Sequence, residues 1–190
     1  SLEGHAQYVL KKPGNWTFVY DSATQLWHER CSCGLPDYKV STFVTAFDRL
    51  LVGDDASGKI YRLDTERQGR EDNSFDSGVG TVIARMAAPP LWASAQVASV
   101  NSLVVDFERG VGTTVGQGSD PTVMLRYSND GGFTWSSEKW RSLGKKGEYK
   151  TRSRWNRHGQ FRQRVYEIAI SDPVQRTVMG AYAEVEGGRL

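Results

Sequence analysis

The sequence predicts an all-β protein, an antiparallel β-sandwich preceded by a propeller-blade-like set of hairpins. Three observations carry that expectation. Apolar residues recur with period two and almost never with helical spacing, as half-buried strands require. Twenty Gly among 190 residues supply tight turns, while six Trp and eight Tyr supply bulky residues that suit strands. Hydrophobic residues make up 38% and charged residues 24%, with 24 basic against 22 acidic, which excludes a disordered tail or a polycation. Charges interrupt every apolar run well short of bilayer thickness, so no membrane span and no membrane partner are expected. The start, Ser1-Leu2-Glu3-Gly4-His5, lacks the basic and apolar regions of a signal peptide. It also lacks an initiator Met, as in a processed product or an expressed fragment.

Residues 1–64 read as a blade-like run of antiparallel hairpins. In Trp16-Thr17-Phe18-Val19-Tyr20 the aromatics share one face. Strands are expected at 16–21, 25–31, 40–53 with a break near Asp48-Arg49, and 59–64. Asp21-Ser22-Ala23-Thr24 and Asp54-Asp55-Ala56-Ser57-Gly58 have turn chemistry, because Asp and Ser bind nearby backbone N–H groups and Gly supplies positive φ. A sheet of about four short strands is the size of one propeller blade. One blade cannot close a propeller, so these strands either join the later sheet or belong to a longer protein.

Residues 65–80 are polar and Gly-rich with little periodicity, and read as a linker or long loop. Residues 81–190 read as a β-sandwich of about a hundred residues. There Leu103, Val105 and Phe107 point one way and Asp106 and Glu108 the other; Val123, Leu125 and Tyr127 repeat the pattern, as do Tyr166, Ile168 and Ile170. Turn clusters fall at Gly110–Asp120, Asn129–Gly132, Gly144–Gly147 and Ser171–Pro173.

Within that segment, Ser128-Asn129-Asp130-Gly131-Gly132-Phe133-Thr134-Trp135 matches S-x-D-x-G-x-T-W at every fixed position, the Asp-box of sialidases and other β-propellers. The carboxylate of Asp130 can accept turn N–H groups, Gly132 permits the turn, and Trp135 packs the hairpin onto its sheet, with Ser128 and Thr134 completing the motif. In proteins that carry it, the box is a folding device remote from catalysis. A sialidase would need several boxes, a triad of arginines and a longer chain.

His28, Cys31 and Cys33 form His-x2-Cys-x-Cys, which is short of the four ligands of a closed zinc site. Cysteines two apart rarely close an unstrained disulfide, so two reduced strand cysteines are expected. The carboxylate pairs Asp54-Asp55, Glu71-Asp72 and Asp106/Glu108 sit at turns or on polar strand faces, as solvated residues do. No nucleophile elbow, P-loop, H-E-x-x-H or dinucleotide fingerprint occurs. A non-enzyme without cofactor or metal is the reading.

Charge is distributed unevenly. Lys139, Arg141, Lys145, Lys146, Lys150, Arg152, Arg154, Arg157, Arg162 and Arg164 face the single acid Glu148, a local +9 in a chain of net +2. Trp140, Tyr149, Trp155 and Phe161 are interleaved with them. The stripe, chiefly Lys145, Lys146, Lys150, Arg152, Arg154, Arg157, Arg162 and Arg164, fits an interface or a channel-facing surface. As an interface it would meet an acidic patch, such as residues 54–76, on a neighbouring subunit. Nonspecific contact with DNA needs only charge and aromatic platforms, and a solvated sheet face is the simplest reading of all.

Three runs carry a family resemblance. They are Gly116-Gln117-Gly118-Ser119-Asp120-Pro121-Thr122-Val123-Met124-Leu125-Arg126-Tyr127-Ser128-Asn129-Asp130-Gly131-Gly132, the stretch from Trp140 to Lys150, and the stretch from Arg164 to Pro173. Together they resemble the C-terminal part of the tail accessory or head-closure proteins of short-tailed phages and prophages, also called packaged-DNA stabilisation proteins. The resemblance spans about residues 8–188, with Val19-Tyr20-Asp21, Leu26-Trp27-His28-Glu29-Arg30 and Val52-Gly53-Asp54 matching the preceding segment. The chain is shorter than that family's proteins, whose larger N-terminal portion it lacks.

The resemblance implies a virion structural protein beneath the portal, assembled in the host bacterial cytoplasm, in a homo-oligomeric ring around the DNA channel. Its partners would be other phage tail or portal proteins. It implies no catalysis and a β-rich fold with propeller and sandwich parts. Two other classes fit single features: a carbohydrate-binding or sialidase-like β module fits the Asp-box and Trp residues, and a nonspecific DNA-binding module fits the stripe.

Overall fold

The computed structural model describes residues 5–54, 57–63, 70–73, 78–93 and 96–187, with backbone alone over 70–73 and 78–81. Every element among them is a strand, and every strand pairing is antiparallel. No helix among the described residues is long and apolar enough to cross a membrane. The chain divides into two compact units, Ser1–Val82 and Ile83–Leu190.

The first unit begins with β1 (Gln7–Lys12), β2 (Trp16–Asp21) and β3 (Leu26–Glu29), which form a three-stranded meander. The alternation in β2 sorts its residues into two faces. Thr17 and Val19 are buried, whereas Phe18 on the aromatic face is exposed. Polar groups support the buried face: Thr17 Oγ1 accepts from Tyr38 N–H at 3.0 Å, and Asp37 accepts from Gly14 N–H at 3.0 Å.

A second meander contains β4 (Val40–Ala46), β5 (Arg49–Asp54) and β6 (Ile60–Arg62). The break expected near Asp48-Arg49 is a two-residue hairpin in which Phe47 and Asp48 take φ of 53° and 56°. That double positive φ matches the twist of the flanking strands. The hairpins therefore make two three-stranded sheets and not one four-stranded blade, because β1 adds a strand and β3 and β4 do not pair.

Where the sequence suggests a linker or long loop, β7 (Arg70–Asn73) and β8 (Gly78–Thr81) pair as a ribbon. Residues 64–69 and 74–77 of that stretch lie outside the described residues.

The second unit contains β9 (Ala84–Ala87), β10 (Leu91–Trp92), β11 (Ala98–Phe107), β12 (Thr122–Ser128), β13 (Lys139–Ser142), β14 (Ser153–Asn156), β15 (Gln160–Phe161), β16 (Gln163–Ile170) and β17 (Val178–Gly187). One sheet runs β10-β16-β12-β13, with β9 also on β16. In the other, β14 and β15 lie along one side of β11 and β17 pairs with β11 as well.

The inward faces follow the period-two pattern. Leu103, Val105 and Phe107 of β11 meet Val123 and Leu125 of β12 and Tyr166 and Ile170 of β16 in one core around the fully buried Trp155. Each fully buried aliphatic side chain there contributes about 1.5–3 kcal/mol.

Side chains stitch the two sheets along the β13/β14 seam. Trp155 Nε1 donates to Lys139 O at 2.9 Å, Ser153 Oγ to Ser142 O at 3.1 Å, and Arg141 Nε to Arg154 O at 2.8 Å. These bonds satisfy backbone carbonyls that an edge strand would otherwise leave open.

Candidate functional site

The turn that joins β12 to β13 is braced from within. Ser128 Oγ donates to Asp130 Oδ1 at 2.6 Å and accepts from the N–H groups of Asp130 and Gly132 at 3.3 and 2.8 Å. Asp130 also accepts from Thr134 N–H at 2.9 and 3.0 Å and from Thr134 Oγ1 at 2.5 Å. The Ser128 hydroxyl and the two Thr134 donors hold the Asp130 carboxyl well below the usual carboxylate range. Gly131 and Gly132, at φ of 78° and 104°, occupy backbone space that a side chain would strain.

Trp135 ties this turn to the sheet through a charge. The Arg126 guanidinium lies 4.5 Å from the Trp135 ring centre, and Arg126 pairs with Glu167 across β12 and β16 at 2.7 Å. Both oxygens of Asp130 are engaged inside the turn, so the carboxylate braces the hairpin.

The stripe divides on burial. Lys145, Lys146, Lys150, Arg152, Arg154, Arg157 and Arg162 are exposed. Arg164 is 1% exposed, so it presents no charge to a partner or a channel, a correction to its place in the stripe. Its guanidinium donates to Asn129 Oδ1 at 2.8 Å, His158 O at 2.9 Å and Gln160 O at 3.0 Å, and lies 4.4 Å from the Tyr127 ring centre and 4.7 Å from that of Phe161. The five N–H donors of a guanidinium allow one buried cation to satisfy several carbonyls at once.

Sequence phase marks this burial. Arg164 shares parity with Tyr166, Ile168 and Ile170, so it belongs to the inward side of β16. His158 packs beside it at 2% exposure, edge-on to Tyr166 with ring centres 5.4 Å apart. Neither His158 ring nitrogen has a well-formed hydrogen bond. Burial pushes its pKa down; the backbone of Trp155 opposes this, and the nearby Lys139 and Arg164 charges add to it.

The exposed cations follow one edge. Because β14 pairs with Ser102–Val105 and β15 with Ala98–Ser99, Arg152, Arg154, Arg157 and Arg162 are strung along a single side of β11. At ~3.3 Å per residue that side is roughly 23 Å long. Lys145 approaches Asp120 at 3.8 Å, Lys146 reaches Thr114, and Arg154 reaches Asn156. Among the described residues no acid pairs with Lys150, Arg152, Arg157 or Arg162.

The remaining candidates are dispersed. Cys31 and Cys33 lie beyond the end of β3 and not on a strand, and neither is in a disulfide. Among the described residues no group of three or more His, Cys, Asp or Glu side chains is placed to hold a metal ion. Asp54 accepts from Ser57 N–H and Oγ within its turn, and Asp106 pairs with Arg109 at 3.2 Å. Asp55, the Glu71 and Asp72 side chains and most of the acidic run at 54–76 lie outside the described residues. A depression of about 110 Å³ beside Met124 and Ala169 contains Arg126 and Glu167, which neutralise each other.

Fold and surface together define an antiparallel β-sandwich domain that carries a positively charged edge. A family model described as "Bacteriophage P22 Gp10, beta-sandwich" matches residues 84–186, more than half of the chain. The chain belongs to that family and is a Gp10-like structural protein of the phage virion. No curated protein matches it.

Proposed function

We propose that the chain serves the head-to-tail junction of a short-tailed phage particle as a tail accessory factor, helping to close the portal channel and retain packaged DNA. Its family supplies the virion setting. The observation that carries the finer reading is the exposed basic edge, whose Lys150, Arg152, Arg157 and Arg162 have no acidic partner among the described residues. Unneutralised cations held on a rigid sandwich favour association with acidic protein surfaces or with DNA phosphates.

Packaged DNA pushes outward, so a closure component has to resist deformation while gripping its neighbours. The braced β12–β13 turn and the stitched β13/β14 seam supply stiffness, and the basic edge supplies the grip on a neighbouring subunit or the channel. The chain then acts without catalysis or cofactor, in a ring formed by the full-length protein with other tail or portal proteins, after assembly in the bacterial cytoplasm. Deleting the gene from an inducible prophage and measuring DNA in nuclease-treated particles tests this. Heads that package and then leak are expected, whereas particles that keep their DNA and infect would reject the role.

A further inference from the structure

The sandwich has a second edge that the described residues leave uncovered. Strand β17 pairs only with β11 among the described residues, and it lies on the side of β11 opposite β14 and β15. From Ala181 to Gly187 every residue is exposed, so neither face of this strand is covered by the other sheet. Its apolar residues are open to solvent, with Met179, Tyr182 and Val185 at 73%, 66% and 50% exposure. Its charges are acidic only, Glu184 and Glu186. A long exposed strand edge with apolar side chains is a surface that folded proteins cover with a partner or guard against.

The two edges of this sheet are complementary. One carries Arg152, Arg157 and Arg162, which have no acidic partner among the described residues. The other carries two glutamates set among Met179, Tyr182 and Val185. They are separated by β11 alone, about 10 Å across two strand spacings. DNA would use the basic edge and leave the acidic, apolar one bare. A copy of this chain placed beside the first uses both.

We infer that the β17 edge of one copy receives the basic β14/β15 edge of the next, so that copies associate head to tail through opposite sides of one sheet. This rests on reading the basic edge as a subunit contact and names its counterpart. Such a contact joins different patches on the two copies, so its repetition makes a ring where the rotation closes and a filament where it does not.

Charge exchange in the full chain tests the assignment. One variant carries Glu184→Lys and Glu186→Lys, the other Arg152→Glu and Arg157→Glu, and each is checked by thermal melting for a retained fold. Sedimentation velocity at low salt should show associated wild-type protein that dissociates as salt rises. Each variant alone should lose the associated species, and an equimolar mixture should regain it, because every contact then joins opposite charges. Association lost in the arginine variant but kept in the glutamate variant overturns β17 as the counterpart while leaving the basic edge as a contact. Association unchanged in both variants, a monomeric wild type, or a mixture that stays monomeric also overturns the assignment.

Discussion

Arg164 Nε donates to Asn129 Oδ1 at 2.8 Å, which joins the inward face of β16 to the turn between β12 and β13. The same guanidinium reaches the carbonyls of His158, in the β14–β15 connection, and of Gln160, at the start of β15. One buried cation thus fastens the braced hairpin to the strand that carries the basic edge.

Replacing Arg164 with Met should therefore be costly. The side-chain volume is kept, but three acceptors lose their donor, and the His158 carbonyl among them is buried, at about 1–3 kcal/mol for a buried group left unsatisfied. Urea denaturation should show a fall of at least ~2 kcal/mol. Arg164→Lys should rescue only part of it, because one ammonium cannot span that fork of acceptors.

Acid should loosen the hairpin through Asp130. Its folded pKa lies below its unfolded value of about 4, so the stabilisation is fully present above that pH and is lost as pH falls through the folded value. Melting temperature measured from pH 5 to pH 2 should fall less steeply in Asp130→Asn than in the wild type. The variant should also melt lower at pH 7.

His158 adds a second pH dependence at a higher range. Burial depresses its folded pKa below the ordinary value of about 6.5, so the unfolded chain binds the extra proton first. Stability is full above about pH 6.5 and declines as pH drops toward the folded value. The charges facing this ring are Lys139 and Arg164, which oppose its protonation, and Tyr127 and Tyr166 pack against it. His158→Phe should flatten the melting temperature between pH 7 and pH 5.

Trp155 couples the sheets at the seam. Trp155→Phe keeps most of the apolar contact but removes the donor to Lys139 O, and should cost about 1–3 kcal/mol in denaturant unfolding. An unchanged midpoint would mean that the seam bond contributes nothing.

Alternation makes the sandwich legible in the sequence. Leu103, Val105 and Phe107 recur at period two and are all buried, as Val123 and Leu125 are. The brace was readable too, because the Ser128–Trp135 motif fixes donors and acceptors locally, within a few residues.

Long-range partnership was less readable. Parity does not separate Arg164 from Arg162, since both are an even number of residues from Tyr166; Arg164 is buried because it lies inside β16, whereas Arg162 precedes the strand, and a charge count discards that placement. In β2 the alternation shows that the aromatics share a face but not which face is inward; Thr17 and Val19 are the buried pair, with Tyr38 N–H on Thr17 as a polar partner from elsewhere in the chain. Strand β1 lacks clean alternation in Tyr8-Val9-Leu10 and owes its place to pairing with β2. The open edge at β17 depends on which strands lie beside it, a property of topology that composition does not encode.

The exposed basic edge is proposed to fasten this protein into the particle. Its most direct test replaces Arg152, Arg154 and Arg157 with Glu in the prophage gene and measures both the protein and the DNA in nuclease-treated particles. The expected result is a soluble, folded variant that fails to attach at the portal, with heads that lose their DNA. Attachment and DNA content equal to wild type would contradict it.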